Sequence, residues 1–197
     1  MALRRLSTSS IQTNGKSSKL WDQTTFQSGM FALATVSLTT AASQVIFDNI
    51  PADYTHLQLR MIARSASTGG SMRIDFNSDG TGTNYARQLL MGDGSSASSS
   101  LSNADSVTAA VGDFPVSSST SNIFSGYIVD ILDASKTNKN KAIRSLSGHD
   151  LNGSGMIQMR SALWMSQNAI TKIRIYEGAA SNFAANSHFA LYGIKAG

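Results

Sequence analysis

The sequence predicts an all-β antiparallel fold, a β-sandwich or jelly roll with an extended N-terminal arm. Short segments with apolar residues at alternate places recur along the chain at spacings of roughly 8 to 20 residues, the signature of paired strands with one buried face. Clusters of Asn, Asp, Gly and Ser punctuate them, as tight turns require. A sustained 3.6-residue period is nearly absent, and no repeat of 20–50 residues suggests a propeller or solenoid.

Residues 1–28 stand apart from the rest. Ser7-Thr8-Ser9-Ser10, Asn14-Gly15-Lys16-Ser17-Ser18 and Gln23-Thr24-Thr25 are polar and turn-prone, and the apolar residues between them follow no period. A bare tail is the default for a terminus, but Trp21 favours an arm that docks spaced anchors on a neighbour. Arg4, Arg5, Ile11, Leu20, Trp21 and Phe26 are the candidate assembly contacts.

Residues 29–197 form the second unit, a sandwich domain. Its first strands are expected over 31–38 and over Gln44-Val45-Ile46-Phe47, which stops before Asn49-Ile50-Pro51. His56 to Ile62 alternates cleanly, with Leu57, Leu59 and Met61 on one face. Met72 to Phe76 does the same before Asn77-Ser78-Asp79-Gly80 turns the chain, and a fifth strand spans Tyr85 to Leu90. The serine- and alanine-rich stretch from Ser95 to Ser121 reads as a long loop, with a helical turn around Ala104 to Ala110. Strands resume over 122–132, where Ile128, Ile131 and Leu132 mark burial. Lys141 to Leu146 and Met156 to Arg160 flank a hairpin with Asn152-Gly153 at its tip. In Ile170 to Tyr176 the isoleucines do not share one parity, which admits a bulge or burial on both faces. His188 to Ile194 closes the chain as a strand, making about nine in all.

Composition narrows the function. Charged residues make up 14% of the chain and hydrophobic ones 41%, a balance opposed to disorder. No apolar run is long enough for a membrane-spanning helix, and no export signal is visible after Arg4-Arg5. With 0 Cys there is no disulfide framework, thiolate metal site or cysteine nucleophile. The net charge of +4 is scattered, its densest stretch being Lys136, Lys139, Lys141 and Arg144, so no specific nucleic-acid site is expected.

Candidate chemistry is sparse. Asp75-Phe76-Asn77-Ser78-Asp79-Gly80 matches the first half of a calcium loop, but Ala86 stands where a bidentate glutamate is needed, so a plain turn is expected and no metal site. His56, His149 and His188 have abundant serines around them but no nucleophile-elbow motif. Glu177 is the only glutamate, and Asp130 with Asp133 reads as turn capping, so no acid–base pair stands out. Trp164 and Tyr176 would stack on a sugar ring if exposed, yet such residues usually belong to a core or interface, and Met156, Met159 and Met165 read as packing. The expectation is a protein that is not an enzyme and has no cofactor.

Several segments carry a resemblance. Leu3 to Gln12, Gly15 to Asp22, Ile50 to Gln58, Gly80 to Arg87, Leu146-Ser147-Gly148 with Asn152 to Gly155, and Phe189 to Lys195 together resemble small virion structural proteins of tailed bacteriophages, marine and cyanobacterial ones especially. The resemblance implies a β-sandwich structural protein of the virion, assembled in the host cytoplasm, with no catalytic residues. It implies a homo-oligomer, a trimer by analogy, whose partners are itself and the major capsid protein or tail proteins. Two placements fit: a capsid decoration or cement protein whose arm reaches across capsomers, or a tail fibre or receptor-binding component whose loops recognise host glycans. The short arm and the lack of a shaft or coiled coil favour decoration.

Overall fold

The computed structural model describes residues 29–80, 83–106 and 108–195. Twelve strands account for the regular structure: β1 (Met30–Ser37), β2 (Gln44–Phe47), β3 (His56–Ala63), β4 (Ser71–Phe76), β5 (Tyr85–Gly92), β6 (Ala97–Ser106), β7 (Ala109–Asp113), β8 (Ser125–Leu132), β9 (Lys141–Asp150), β10 (Gly155–Trp164), β11 (Ile173–Glu177) and β12 (His188–Ile194). All pairings are antiparallel. Among the described residues no helix is long and apolar enough to cross a membrane.

An eight-stranded sheet has the order β1-β12-β3-β8-β9-β10-β5-β6, and a four-stranded sheet the order β2-β11-β4-β7. The chain changes sheet at every step except β5 to β6, β8 to β9 and β9 to β10. Two hairpins, β5–β6 and β9–β10, interrupt this crossing and widen only the larger sheet. Where a strand alternates, its apolar parity faces the core. Leu57, Leu59 and Met61 of β3 pack with Val129 and Ile131 of β8, and with Ile74 and Phe76 of β4 from the smaller sheet, in one core. Phe76, Tyr85 and Trp164 form an aromatic knot at one end, with ring centroids 5.3–6.4 Å apart. Burial of three such rings is worth several kcal/mol in transfer terms alone, on the order of 2–3 kcal/mol per side chain.

The segment expected to be a long loop contains two strands instead. β6 pairs with β5 on one side only, so its serines can face solvent and no apolar alternation marks them. β7 is the edge strand of the smaller sheet, paired with β4 and packed against β9 and β10 of the larger one, with Ala109, Ala110 and Val111 all buried. A Cβ on Gly112 would come within 2.7 Å of the Tyr127 ring, so glycine alone fits this close approach without a shift. The helical turn expected near Ala104 to Ala110 is replaced by parts of β6 and β7.

Two further expectations change. On β8 the buried parity is Tyr127, Val129 and Ile131, while Ile128 points outward and is 39% exposed. The parity conflict near Ile170 has a simple cause: β11 begins at Ile173, and Ile170 is buried from the preceding loop. Asn152 and Gly153 both take positive φ at the hairpin tip, as the turn signal predicts.

Candidate interaction surface

Arg4, Arg5, Ile11, Leu20, Trp21 and Phe26 all lie outside the described residues. The other candidate residues fall inside them, and most are tied up in the fold.

The Asp75–Gly80 segment staples strands together. Asp75 is fully buried and its Oδ2 accepts hydrogen bonds from Arg174 across the β4–β11 pair. That bond is also the main reason the Arg174 guanidinium holds its proton more tightly than usual. Asn77 Oδ1 accepts from the amides of Thr171 and Lys172 at 2.9 and 3.1 Å, fixing the approach to β11. Asp79 accepts from Trp164 Nε1 at 2.7 Å and from Asn84 Nδ2. Asp75 Oδ2, Asn77 Oδ1 and both Asp79 oxygens are thereby engaged by protein donors, while Asp75 Oδ1 is buried without a hydrogen-bond partner.

The three histidines lie in separate settings. His56 Nδ1 accepts the Asp133 amide at 2.9 Å, closing the turn after β8. His188 Nδ1 lies 2.8 Å from Ser37 Oγ, and among the described residues no carboxylate forms an ion pair with it. The His149 ring has a buried Nδ1 without a hydrogen-bond partner, and burial pushes its pKa down. Nearby, Asp113 Oδ2 accepts from Gln158 Nε2 at 2.6 Å and from Arg160 at 2.9 Å, forming a polar knot beneath β7. Burial lowers the Arg160 pKa, and Asp113 opposes that shift. Asp130 pairs with Arg144, and Asp133 with Lys139. Trp164 is 1% exposed and serves the core, while Tyr176 packs under the Arg174 guanidinium.

What the fold leaves unused is a face. Of the exposed large hydrophobic residues, all but Ile46 fall on the outer side of the eight-stranded sheet, between 39% and 67% exposed. Register places them in rows across the strands. Arg60, Ile128, Leu146, Met159 and Leu90 lie side by side on β3, β8, β9, β10 and β5. The next row along the strands is Ile62, Gly126, Gly148, Ile157 and Gly92. Bare glycines between Ile62 and Ile157 floor one part of a trough of about 550 Å³ that continues past Ile62 to His188, Ala190 and Tyr192 of β12. On the other side, Gln58, Asp130 and Arg144 form a polar row, with Gln58 Nε2 donating to Asp130 at 2.8 Å.

Sequence reasoning missed this surface. The readable signal was apolar residues at both parities of one strand, as in Met61-Ile62, Tyr127-Ile128-Val129 and Leu89-Leu90-Met91. Such runs mark strands that need cover on both faces.

No family model matches the chain, and no curated protein matches it. Among solved structures, a crystal structure of a protein of unknown function from Shewanella oneidensis MR-1 is similar over 85% of this chain and 77% of its own. The identity is 11% and the TM-score 0.24.

Proposed function

We propose that this chain is a structural component of a tailed-bacteriophage virion, of the capsid-decoration type, attached through residues 1–28. The observation that carries an assembly role is the outer face of the large sheet, where aliphatic residues meet solvent in contiguous rows. Such area marks an interaction surface. The resemblance of the N-terminal and C-terminal segments to phage virion proteins supplies the setting. The strand order supports a jelly roll: β1-β12-β3-β8 against β2-β11-β4-β7, with crossings between sheets and two inserted hairpins. Among the described residues, burial of Trp164 removes the one indole that could have stacked on a sugar, which weighs against the glycan-recognising tail-fibre alternative.

The test is deletion of residues 1–28 in a phage that carries this protein. The truncated chain is expected to be absent from purified particles while the recombinant body retains a β-sheet spectrum and a cooperative melt. Incorporation at normal copy number would overturn the arm-mediated attachment. A glycan array separates the placements, since specific binding would move the protein to the receptor-recognising tail.

A further inference from the structure

We propose that two copies of this chain associate face to face through the outer surface of the eight-stranded sheet, about a two-fold axis, with Ile157 of each copy seated in the glycine-floored trough of the other. This contact requires nothing of the virion reading; it follows from the shape and area of the described face.

A two-fold contact uses the same patch on both partners, so the patch must carry a ridge and a matching recess side by side. This one does. Gly126 and Gly148 sit between Ile62 and Ile157, which are three strand spacings or about 14 Å apart, enough for one branched side chain to enter. Ile157 in turn stands between Gly148 and Gly92, a ridge with low ground on either side. A ridge beside its own recess is self-complementary.

Area argues for a second copy as the occupant. Seven aliphatic side chains, each about half exposed, present on the order of 600 Å² of apolar surface, at the top of what a monomer usually leaves in water. Two such faces would bury about 1,200 Å², which reaches the size of a specific interface. The row holding Asp130, Arg144 and Gln58 supplies the polar rim that borders such patches. The product is a closed dimer, in place of the trimer that the resemblance implies.

The test is light scattering on the full chain across a concentration series, with two variants. The native chain is expected at twice the chain mass. Ile157→Asp places a charge on the ridge, and Gly126→Leu fills the recess; both are expected at the mass of a single chain with unchanged β-sheet spectra. Gly126 is on the exposed parity of β8 and a Cβ there meets nothing within 4 Å, so the added side chain starts in open space, and the unchanged spectrum checks the fold. It also adds apolar area, so association by mere stickiness would survive it. The chain has no cysteine, and Gly126 and Ile157 of one copy are two strand spacings or about 10 Å apart, beyond disulfide reach. A Gly126→Cys chain mixed with an Ile157→Cys chain is therefore expected to form linked pairs that neither makes alone. A native chain of single mass throughout the series overturns the proposal, as does a Gly126→Leu chain that remains dimeric or a mixture that does not link.

Discussion

Replacing Arg64 by alanine should unfasten the connection between β7 and β8. Arg64 is 9% exposed, and its guanidinium donates to the carbonyls of Val116, Ser117, Ser119, Thr120 and Ile123 at 2.7–3.3 Å. One side chain thus organises most of the segment 114–124, which has no regular structure of its own. A hydrogen bond to a charged group is worth about 1.5–3 kcal/mol net, but five bonds from one group are not additive, and the freed carbonyls can reach water. The expected loss for Arg64→Ala is about 3 kcal/mol, comparable to breaking a buried charged network, and in a domain of this size it lowers Tm by roughly 6–12 °C. Arg64→Lys should lose about half as much, because one ammonium has three donors and no planar fork. Urea unfolding gives the energy, and hydrogen exchange gives the location. The amides of Ser117 and Ser119, now bonded to Ser67 and Val116, should exchange much faster in Arg64→Ala while those of β3 do not. A loss below about 1 kcal/mol with exchange unchanged over 116–124 would refute this account of the loop.

Three further outcomes follow from the same geometry. Gly112→Ala should destabilise the fold by about 1–3 kcal/mol in urea unfolding, since the added methyl meets Tyr127 and Ser147, whereas Gly126→Ala, within β8 and with open space around it, should be neutral or stabilise by up to about 1 kcal/mol. Burial holds the folded-state pKa of His149 below its ordinary 6.5, so the unfolded chain binds the extra proton first: stability is full above about pH 6.5 and is lost as pH falls toward the folded value, and His149→Gln should flatten the fall in urea midpoint between pH 7 and 5. Calorimetric titration of the native chain with calcium should give no binding heat, because Asp75, Asn77 and Asp79 are held by Arg174, Thr171, Lys172 and Trp164.

The sandwich was legible wherever one face of a strand is buried and the other is wet. The strand from His56 to Ala63 shows this best, since its parity, turn neighbours and length all agree. The hairpin at Asn152-Gly153 was readable for a different reason, the demand of its turn for positive φ. The stretch from Ser95 to Ser121 reads as a loop because an edge strand of serines and a strand of alanine and glycine carry no hydrophobic period; the first is held by backbone bonds to β5, and the second by backbone bonds to β4 and close packing at Gly112 against the larger sheet. Lys141 shows another limit. It lies in the densest basic stretch, yet it is fully buried and its Nζ caps the carbonyls of Lys136 and Lys139 at 2.6 and 2.9 Å. A lysine that serves backbone oxygens looks no different in sequence from one in water. The outward face was hidden for a related reason, because Ile128 counts as a core residue until register assigns it a side.

The two inserted hairpins have an evolutionary consequence. The first is inserted between β4 and β7 of the smaller sheet and the second between β8 and β11, and neither alters how the remaining strands cross, so the composition of each can drift under selection for contact alone. Met159, Ile157, Leu146 and Leu90 reside on these additions, whereas Ile62 and Ile128 belong to the eight strands that cross between the sheets. Homologues could exchange the added strands and acquire a new neighbour while keeping the same centre. Such a chain would diversify by swapping its outer panels.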